Sequence, residues 1–243
     1  MKFPDALIRG RLVRRYKRFL ADVELRDGPN SGEVVTAHCA NPGSMLSVNE
    51  AGAEVWLSPA RNPDRKLKFT WEMIRIGGTL VGINTHLPNA IVAEAIEAAQ
   101  VPELTGYASL RREVKYGENS RIDLLLEKDG PGEGAKCYVE VKNVTMRRDL
   151  SKKAPVEFPD AVTARGTKHL AELTNMVRDG HRSVMFYLVQ RADGPAFAIA
   201  ADIDPAYAKG LAAARSAGVE ALCYGCRLSK REITVAGPVP LLI

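Results

Sequence analysis

The sequence reads Ser120-Arg-Ile-Asp123 at the head of one predicted strand and Glu140-Val-Lys142 at the tail of the next. Successive side chains of a strand point to opposite faces of its sheet, so Glu140 and Lys142 share one face while Val141 points into the core. Asp123 lies on the neighbouring strand and sits opposite them if the register pairs position 123 with 140 or 142. The spacing therefore predicts a sheet that gathers two carboxylates and a lysine at one place.

Such a group has a defined chemistry. Two carboxylates hold a hard divalent ion such as Mg²⁺ or Mn²⁺ through oxygen ligands, while waters and a substrate phosphate complete the shell. An ion held in this way activates water and neutralises charge on a phosphodiester during its displacement. We therefore expect Asp123 and Glu140 to be metal ligands. We also expect Asp123, Glu140 and Lys142 to be catalytic, with Lys142 orienting the attacking water or stabilising the developing negative charge.

A triplet of acidic residue, any residue and lysine is weak evidence by itself. The chain contains three such triplets, Asp64-Arg-Lys66, Glu113-Val-Lys115 and Glu140-Val-Lys142. Only the last ends a predicted strand and has an aspartate at the head of the strand before it. The alternative interpretation is a solvated charge cluster at a sheet end, in which Asp123 pairs with Arg121 or Lys142.

Residues 85–243 surround this group with alternating helices and strands. Crossover helices between strands predict a mixed α/β sheet that is covered on both faces. The predicted turns between the first three strands fall at 117–120 and 130–134. The predicted elements are a helix over 89–100, strands over 110–116, 121–127 and 137–141, a helix over 164–178, a strand over 183–190, a helix beginning at Asp204-Pro205 and a strand over 219–224.

Residues 1–84 have a different pattern, with short alternating strands and turn residues but no helix. The predicted strands cover 11–25, 33–39, 53–57, 66–76 and 79–83. Five strands in so short a segment predict a small closed barrel of the OB type. The open face of an OB barrel commonly binds single-stranded nucleic acid.

The charge of the chain is concentrated in the barrel. The chain has 34 Lys and Arg against 29 Asp and Glu, with a formal net charge of +5. Between Arg9 and Arg18, six of ten residues are basic and none is acidic. This stripe is either a footprint for a phosphate backbone, with Tyr16 and Phe19 as stacking surfaces, or a solvated strand edge that discourages aggregation.

The residues that we expect to contact DNA are Arg11, Arg14, Arg15, Lys17, Arg18, Arg65, Lys66, Arg165 and Lys168. In the second helix, Arg165, Lys168 and His169 are expected on the face opposite its leucines.

Composition excludes several other classes of protein. No apolar run approaches the ~20 residues that span a bilayer, and the first residues lack the apolar core of a secretory signal, so we expect a cytoplasmic protein.

Cys223-Tyr-Gly-Cys226 has no second ligand pair at zinc-binding spacing, and we interpret it as two strand thiols. His38, His86 and His181 are expected to have ordinary polar roles. Gln190 and the segment 41–44 could each belong to the site or serve only as a strand end and a turn.

Several strings in the chain resemble the sugar fermentation stimulation protein A family, nearly from end to end. They are Arg15-Tyr-Lys-Arg-Phe19, His38-Cys-Ala-Asn-Pro-Gly-Ser-Met45, Lys66-Leu-Lys-Phe-Thr-Trp-Glu72, Ser120-Arg-Ile-Asp123, Tyr138-Val-Glu-Val-Lys-Asn-Val-Thr145, Phe158-Pro-Asp-Ala-Val-Thr-Ala-Arg-Gly-Thr-Lys-His-Leu170 and Val189-Gln-Arg191.

The resemblance implies an N-terminal OB-fold domain, a C-terminal domain of the PD-(D/E)xK nuclease type and a DNA-binding role. The nuclease pattern falls on Asp123, Glu140 and Lys142, and Glu94 matches the acidic residue that the first helix often adds to the metal site. The leading prediction is a DNA-binding, metal-dependent nuclease. The alternative is a non-catalytic, regulatory DNA-binding protein, linked to sugar metabolism, whose nuclease fold is vestigial. RNA as the substrate, a pure interaction module, the strandedness of the DNA and a homodimeric state stay open.

Overall fold

The computed structural model describes residues 1–117, 120–128 and 134–243. The predicted turn at 130–134 lies almost wholly outside these residues, and the middle of the turn at 117–120 lies outside them too. Two six-stranded sheets and one three-stranded sheet carry most of the chain. In the described part of the chain, no helix is long and apolar enough to cross a membrane.

The first sheet closes into the expected OB-like barrel of five strands. The sheet contains β1 (Ile8–Tyr16), β2 (Leu20–Leu25), β3 (Val34–Cys39), β4 (Glu54–Pro59), β5 (Phe69–Ile76) and β6 (Thr79–Gly82), and the first five of these form the barrel. β1 pairs with β2 and β4, and β3 closes the barrel by pairing in parallel with β5. β6 adds to the free side of β5. The barrel interior is filled by aliphatic side chains and Trp71, all of them buried.

The second large sheet is the expected mixed α/β sheet. In spatial order its strands are β14 (Ile233–Pro238), β13 (Glu220–Leu228), β11 (Arg182–Val189), β9 (Lys136–Val144), β8 (Ser120–Glu127) and β7 (Ser109–Tyr116). The central strands β9, β11 and β13 are parallel, whereas β7, β8 and β14 pair antiparallel at the edges. Helix α1 (Pro88–Glu97) packs on one face, and helices α2 (Ala164–Arg178) and α3 (Pro205–Ser216) cover the other.

Some sequence-based boundaries are wrong. The single strand expected over 11–25 is two strands, because Lys17 and Arg18 take left-handed φ angles of 48° and 62° and form a hairpin loop. A small parallel sheet of β10 (Val156–Phe158), β12 (Phe197–Ile199) and β15 (Leu241–Leu242) was not predicted, nor was β14. Two- and three-residue strands are too short to show an alternating pattern.

The two domains share a packed junction. Trp56 and Met73 of the barrel belong to the same core as α1 and the mixed sheet. The Asp160 carboxylate accepts hydrogen bonds from the Ser44 hydroxyl and the Met45 backbone N–H, both at 2.9 Å. Lys2, in the segment 1–84 predicted as the barrel domain, forms a β-bridge with Glu232 of the second domain.

Candidate functional site

A cleft of about 410 Å³ lies where the two domains meet. The barrel contributes the segment Asn41–Gly43 and Thr85 to its walls. The mixed sheet and its helices contribute the predicted carboxylates and lysine, which the structure brings together here. The polar and charged side chains that line this part of the cleft include Asn89, Asp123, Glu140, Lys142, Arg165 and His169.

The strand register places Asp123 next to Glu140. The β8–β9 ladder pairs Leu124 with Val139, so the next residues along the two strands are Asp123 and Glu140. The Asp123 carboxylate then takes the place of a ladder acceptor, because its Oδ2 accepts the Val141 backbone N–H at 2.7 Å. Asn89 of α1 donates from Nδ2 to Oδ1 at 2.8 Å. Both oxygens of Asp123 are therefore fixed, and each retains a lone pair.

Glu140 is the most buried acid of the cleft, with 2% of its surface exposed. Its Oε1 accepts a hydrogen bond from Lys142 Nζ at 2.7 Å and contacts Nδ1 of His169. Arg165 Nε donates to the other ring nitrogen of His169 at 3.3 Å, so the ring presents Nδ1 to Glu140. Glu140 Oε2 is buried and has no hydrogen-bond partner.

The two carboxylates have opposite pKa shifts. Burial, together with the nearby charge of Glu140, raises the pKa of Asp123 to about 6. Burial also acts to raise the pKa of Glu140, but the hydrogen bond from His169 and the charge of Lys142 outweigh it and lower that pKa. Neutral pH therefore leaves both carboxylates mainly ionised, with Asp123 the easier one to protonate.

These residues fit a divalent cation that brings much of its own shell. A buried carboxylate oxygen without a partner is costly, and a bound cation would satisfy it. Among the residues that the structure describes, no group of three or more His, Cys, Asp or Glu side chains could enclose a metal ion. One or two carboxylates with water and substrate phosphate is the usual arrangement for Mg²⁺, which rarely has a cage made only of protein.

Three helix residues, Glu94, Asn89 and His169, occupy positions that the sequence did not indicate. Glu94, the expected acidic ligand from α1, instead pairs with the amino terminus of Met1 at 2.6 Å and is outside the cleft lining. Asn89, in the first turn of the same helix, contacts Asp123 in its place. His169 was expected on the exposed face of α2, but it is 5% exposed and faces Glu140. The buried face of α2 is wider than its leucines suggest, because it also includes Glu172.

Other candidate residues take structural positions. Gln190 is fully buried and donates from Nε2 to Asn143 at 2.8 Å, behind the cleft wall. Cys223 and Cys226 belong to the cores on opposite faces of the sheet, so they do not form a thiol pair. Burial raises the pKa of each thiol to about 12.

Three arginines of the basic stripe form ion pairs or hydrogen bonds with other residues of the barrel. Arg11 pairs across the strands with Glu24 at 2.9 Å, and Arg14 pairs with Asp22 at 2.8 Å. Arg15 donates to the carbonyl oxygens of Asn41 and Gly43, both at 2.9 Å, and so holds the cleft wall in place. The interpretation of β1 as a solvated edge strand is wrong, because β1 lies between β2 and β4.

The remaining basic candidates lie on several different elements. Lys17 and Arg18 are exposed in the hairpin loop, next to Phe19, which is 51% exposed. Arg165 lines the cleft itself. Lys168 of α2 is exposed, and its Nζ lies 3.6 Å from the carboxylate of the buried Glu172. Arg65 and Lys66 lie on the barrel, in the segment that leads into β5.

Comparison with known proteins gives consistent matches over the whole chain. Residues 86–232 match the family model described as the sugar fermentation stimulation protein RE domain, and residues 13–83 match the SfsA N-terminal OB domain. The chain is 59% identical to the sugar fermentation stimulation protein homolog of Rhodospirillum rubrum, over 100% of this chain and 99% of that protein. It is 58% identical to the homolog of Paramagnetospirillum magneticum, over 99% and 98%.

A solved structure shows the same architecture. Pyrococcus furiosus SfsA in complex with Ca²⁺ is similar with a TM-score of 0.85 and 26% sequence identity, and the match covers 100% of this chain and 98% of that chain. Both domains therefore match in sequence and in fold, and the chain belongs to the sugar fermentation stimulation protein family.

Proposed function

We propose that the protein binds DNA and hydrolyses its phosphodiester bonds with a divalent cation held by Asp123 and Glu140. The single observation that carries this proposal is Glu140 Oε2, a buried carboxylate oxygen without a hydrogen-bond partner. It belongs to a residue that lines an open cleft beside a second carboxylate. The similar Pyrococcus furiosus protein was solved in complex with Ca²⁺, a cation that also prefers oxygen ligands.

The side chains divide the work between them. A bound Mg²⁺ or Mn²⁺ would supply activated water and neutralise charge on the phosphodiester. Lys142 carries a positive charge into the same cleft and would stabilise the negative charge that develops on the phosphate. His169 and Lys142 fix Glu140 from one side, so that Oε2 stays directed away from them. Asn89 and the Val141 backbone hold Asp123 in the same manner.

The placement of the cleft supports a nucleic-acid substrate. It lies between an OB barrel and a mixed sheet, so both domains can contact one strand. OB barrels bind single strands through basic grooves and exposed aromatic side chains, and Phe19 with its two basic neighbours is such a surface. We place this activity in the cytoplasm, because all four cysteines are free, buried thiols, the state that a reducing compartment maintains.

A second candidate function is DNA binding without cleavage, in a regulatory role linked to sugar metabolism. One observation favours it. Glu140 Oε1 is already neutralised by Lys142 and contacted by His169, so half of this carboxylate is satisfied without any cation. A cluster of that kind can persist as a structural ion pair in a nuclease fold that no longer cleaves.

A cleavage assay separates the two candidates. Purified protein is incubated with labelled single- and double-stranded DNA in Mg²⁺, Mn²⁺ or EDTA. Glu140→Ala and Lys142→Ala are tested in parallel, and Glu94→Ala is the control because it removes an exposed carboxylate outside the cleft. The proposal expects cleavage that needs metal, disappears in both cleft variants and survives in the control. Glu140→Ala should retain its DNA affinity or bind more tightly, because it removes a negative charge.

The other outcomes are equally informative. Tight DNA binding without cleavage in any metal would favour the regulatory candidate. Cleavage that persists in Glu140→Ala would show that the chemistry lies elsewhere. Competition with RNA tests the sugar, because a contact to the 2′-hydroxyl would discriminate between the two nucleic acids.

A further inference from the structure

A basic cluster lies on the outer face of the barrel, separate from the carboxylates of the cleft. Arg65 donates from Nη1 to the Thr70 hydroxyl at 2.9 Å. Thr70 is the register partner of His38 in the parallel β3–β5 pair, so Arg65 and His38 are held side by side. We call Arg65, His38 and His86 the basic cluster.

His86 reaches the same place from the segment after β6. Its backbone N–H donates to the Asn84 side chain at 3.0 Å, and Asn84 in turn donates to Glu72 at 2.7 Å. Glu72 lies on β5, two residues after Thr70. His86 is exposed and His38 is half-buried, so both rings are accessible at the barrel surface.

Glu72 is the acid nearest to the basic cluster, and burial raises its pKa against the charges of His86 and Arg65, which act to lower it. Glu72, the adjacent acid, is buried, and both of its oxygens accept hydrogen bonds from neutral groups, Ser58 at 2.6 Å and Asn84. Within residues 1–117, 120–128 and 134–243, no salt bridge involves a member of the cluster. Burial and the charges of Arg65 and His86 lower the pKa of His38. Basic side chains that make no ion pair are a favourable setting for an anion.

The basic cluster adjoins the cleft. Thr85, which lines the cleft, is the residue before His86, and its hydroxyl donates to the Ala40 carbonyl at 2.8 Å. Asn41, the residue after Ala40, lines the cleft as well. A strand that passes through the cleft would therefore meet the cluster as it crosses onto the barrel.

We propose that Arg65, His38 and His86 form a phosphate-binding subsite, which holds the backbone of the nucleic acid strand where it leaves the cleft. This inference rests on the proposed function, because it places nucleic acid in the cleft. It also shifts the phosphate contacts of the barrel away from Arg11, Arg14 and Arg15, whose guanidinium groups already have partners on the barrel.

Binding assays in EDTA test the subsite without cleavage. The affinity for a labelled single strand is measured against salt concentration for Arg65→Gln and for the double variant His38→Gln/His86→Gln. Arg26→Gln and Arg61→Gln are matched controls, because each removes a paired surface arginine of the barrel that is not among the expected DNA contacts. Losing one phosphate contact should weaken binding about tenfold and make the salt slope shallower by about 0.7, the value of one contact to a single strand. The controls should stay within about twofold, and thermal melting checks that every variant is folded.

The result that overturns the subsite is distinct from the failure of the proposed function. If the protein binds DNA and the cluster variants behave like the controls, the subsite is wrong and DNA binding stands. If the protein binds no DNA, the proposed function fails, and inorganic phosphate is titrated while the NMR signals of the His38 and His86 rings are followed. A saturable shift that Arg65→Gln abolishes would support the subsite, and unshifted signals would overturn it.

Discussion

At the scale of single residues, the site depends on how differently its two acids are held. Glu140 is stabilised as an anion by His169 and Lys142, so its charge costs little despite its burial. Asp123 has only neutral hydrogen-bond donors, from Asn89 and the Val141 backbone, and it lies beside a second negative charge. The pKa values of the pair are therefore pushed apart, as is common where acids share a functional site.

This difference predicts that Asp123→Asn stabilises the protein in the absence of metal. Folding raises the pKa of Asp123 from 3.8 to about 6, so the folded state loses its proton less readily than the unfolded state. The free energy of unfolding then falls as the pH rises from about 4 to about 6. The variant escapes this loss, but its amide nitrogen cannot accept one of the two hydrogen bonds that the Asp123 oxygens accept, so at pH 8 it should be more stable by about 1–2 kcal/mol.

Urea denaturation in EDTA at several pH values measures the effect. The stability gained by Asp123→Asn should disappear below about pH 4, because Asp123 is then protonated in both states. Glu140 has the opposite pKa shift, but it is present in both proteins and its contribution largely cancels. A variant that is no more stable than the wild type at pH 8 would contradict the account.

At the scale of secondary-structure elements, Arg15 links strand β1 to the cleft wall. Its guanidinium holds two carbonyl oxygens of the segment 41–44, whereas Arg11 on the same strand makes only an exposed ion pair. Arg15→Gln should therefore cost about 1–3 kcal/mol of stability, since it removes the guanidinium donor from part-buried carbonyl groups and leaves that of Asn41 with only the Cys39 thiol. Arg11→Gln should cost less than about 1 kcal/mol. Equal losses in urea denaturation would show that Arg15 is not a clamp.

The burial of Cys223 and Cys226 in the central sheet predicts how reactive their thiols are. Cys223 and Cys226 are buried on opposite faces of β13, and their raised pKa values keep them protonated at neutral pH. We expect no labelling of either thiol by a thiol reagent in the native protein and complete labelling after denaturation. Rapid labelling of one of them in the folded state, or an isolated disulfide between the two, would contradict this placement.

Much of this element layout could be predicted from the sequence. The strand pair that carries Asp123 and Glu140 follows from the alternation of side chains, which is a local property. Asn89 and His169 could not be found in the same way, because the rotation of α1 and α2 about their axes depends on how they pack against the sheet. The role of Arg15 was also hidden, since its partners are backbone carbonyls that carry no sequence signal.

At the scale of the whole molecule, two domains are joined so that the cleft has one wall from each. The Asp160 carboxylate crosses the junction to Ser44 and Met45 and fixes the barrel wall relative to the sheet. DNA binding should depend on both domains at once, and its electrostatic part should be large for a chain with a net charge of +5.

The affinity for DNA should therefore fall steeply with added salt. Each phosphate neutralised by a basic side chain releases condensed counterions, so a plot of log K against log salt concentration has a slope of about −0.7 per contact for single strands. We expect a slope that corresponds to several contacts, measured by fluorescence anisotropy in EDTA. A flat salt response would rule out binding through the phosphate backbone.

The central claim is that Asp123 and Glu140 hold a divalent cation, and titration with Mn²⁺ tests it most directly, because it does not depend on the choice of DNA. Calorimetry of the wild type should show one site, which is lost in Asp123→Ala and Glu140→Ala and retained in Glu94→Ala. No Mn²⁺ binding by the wild type, or equal binding by all four proteins, would contradict the account.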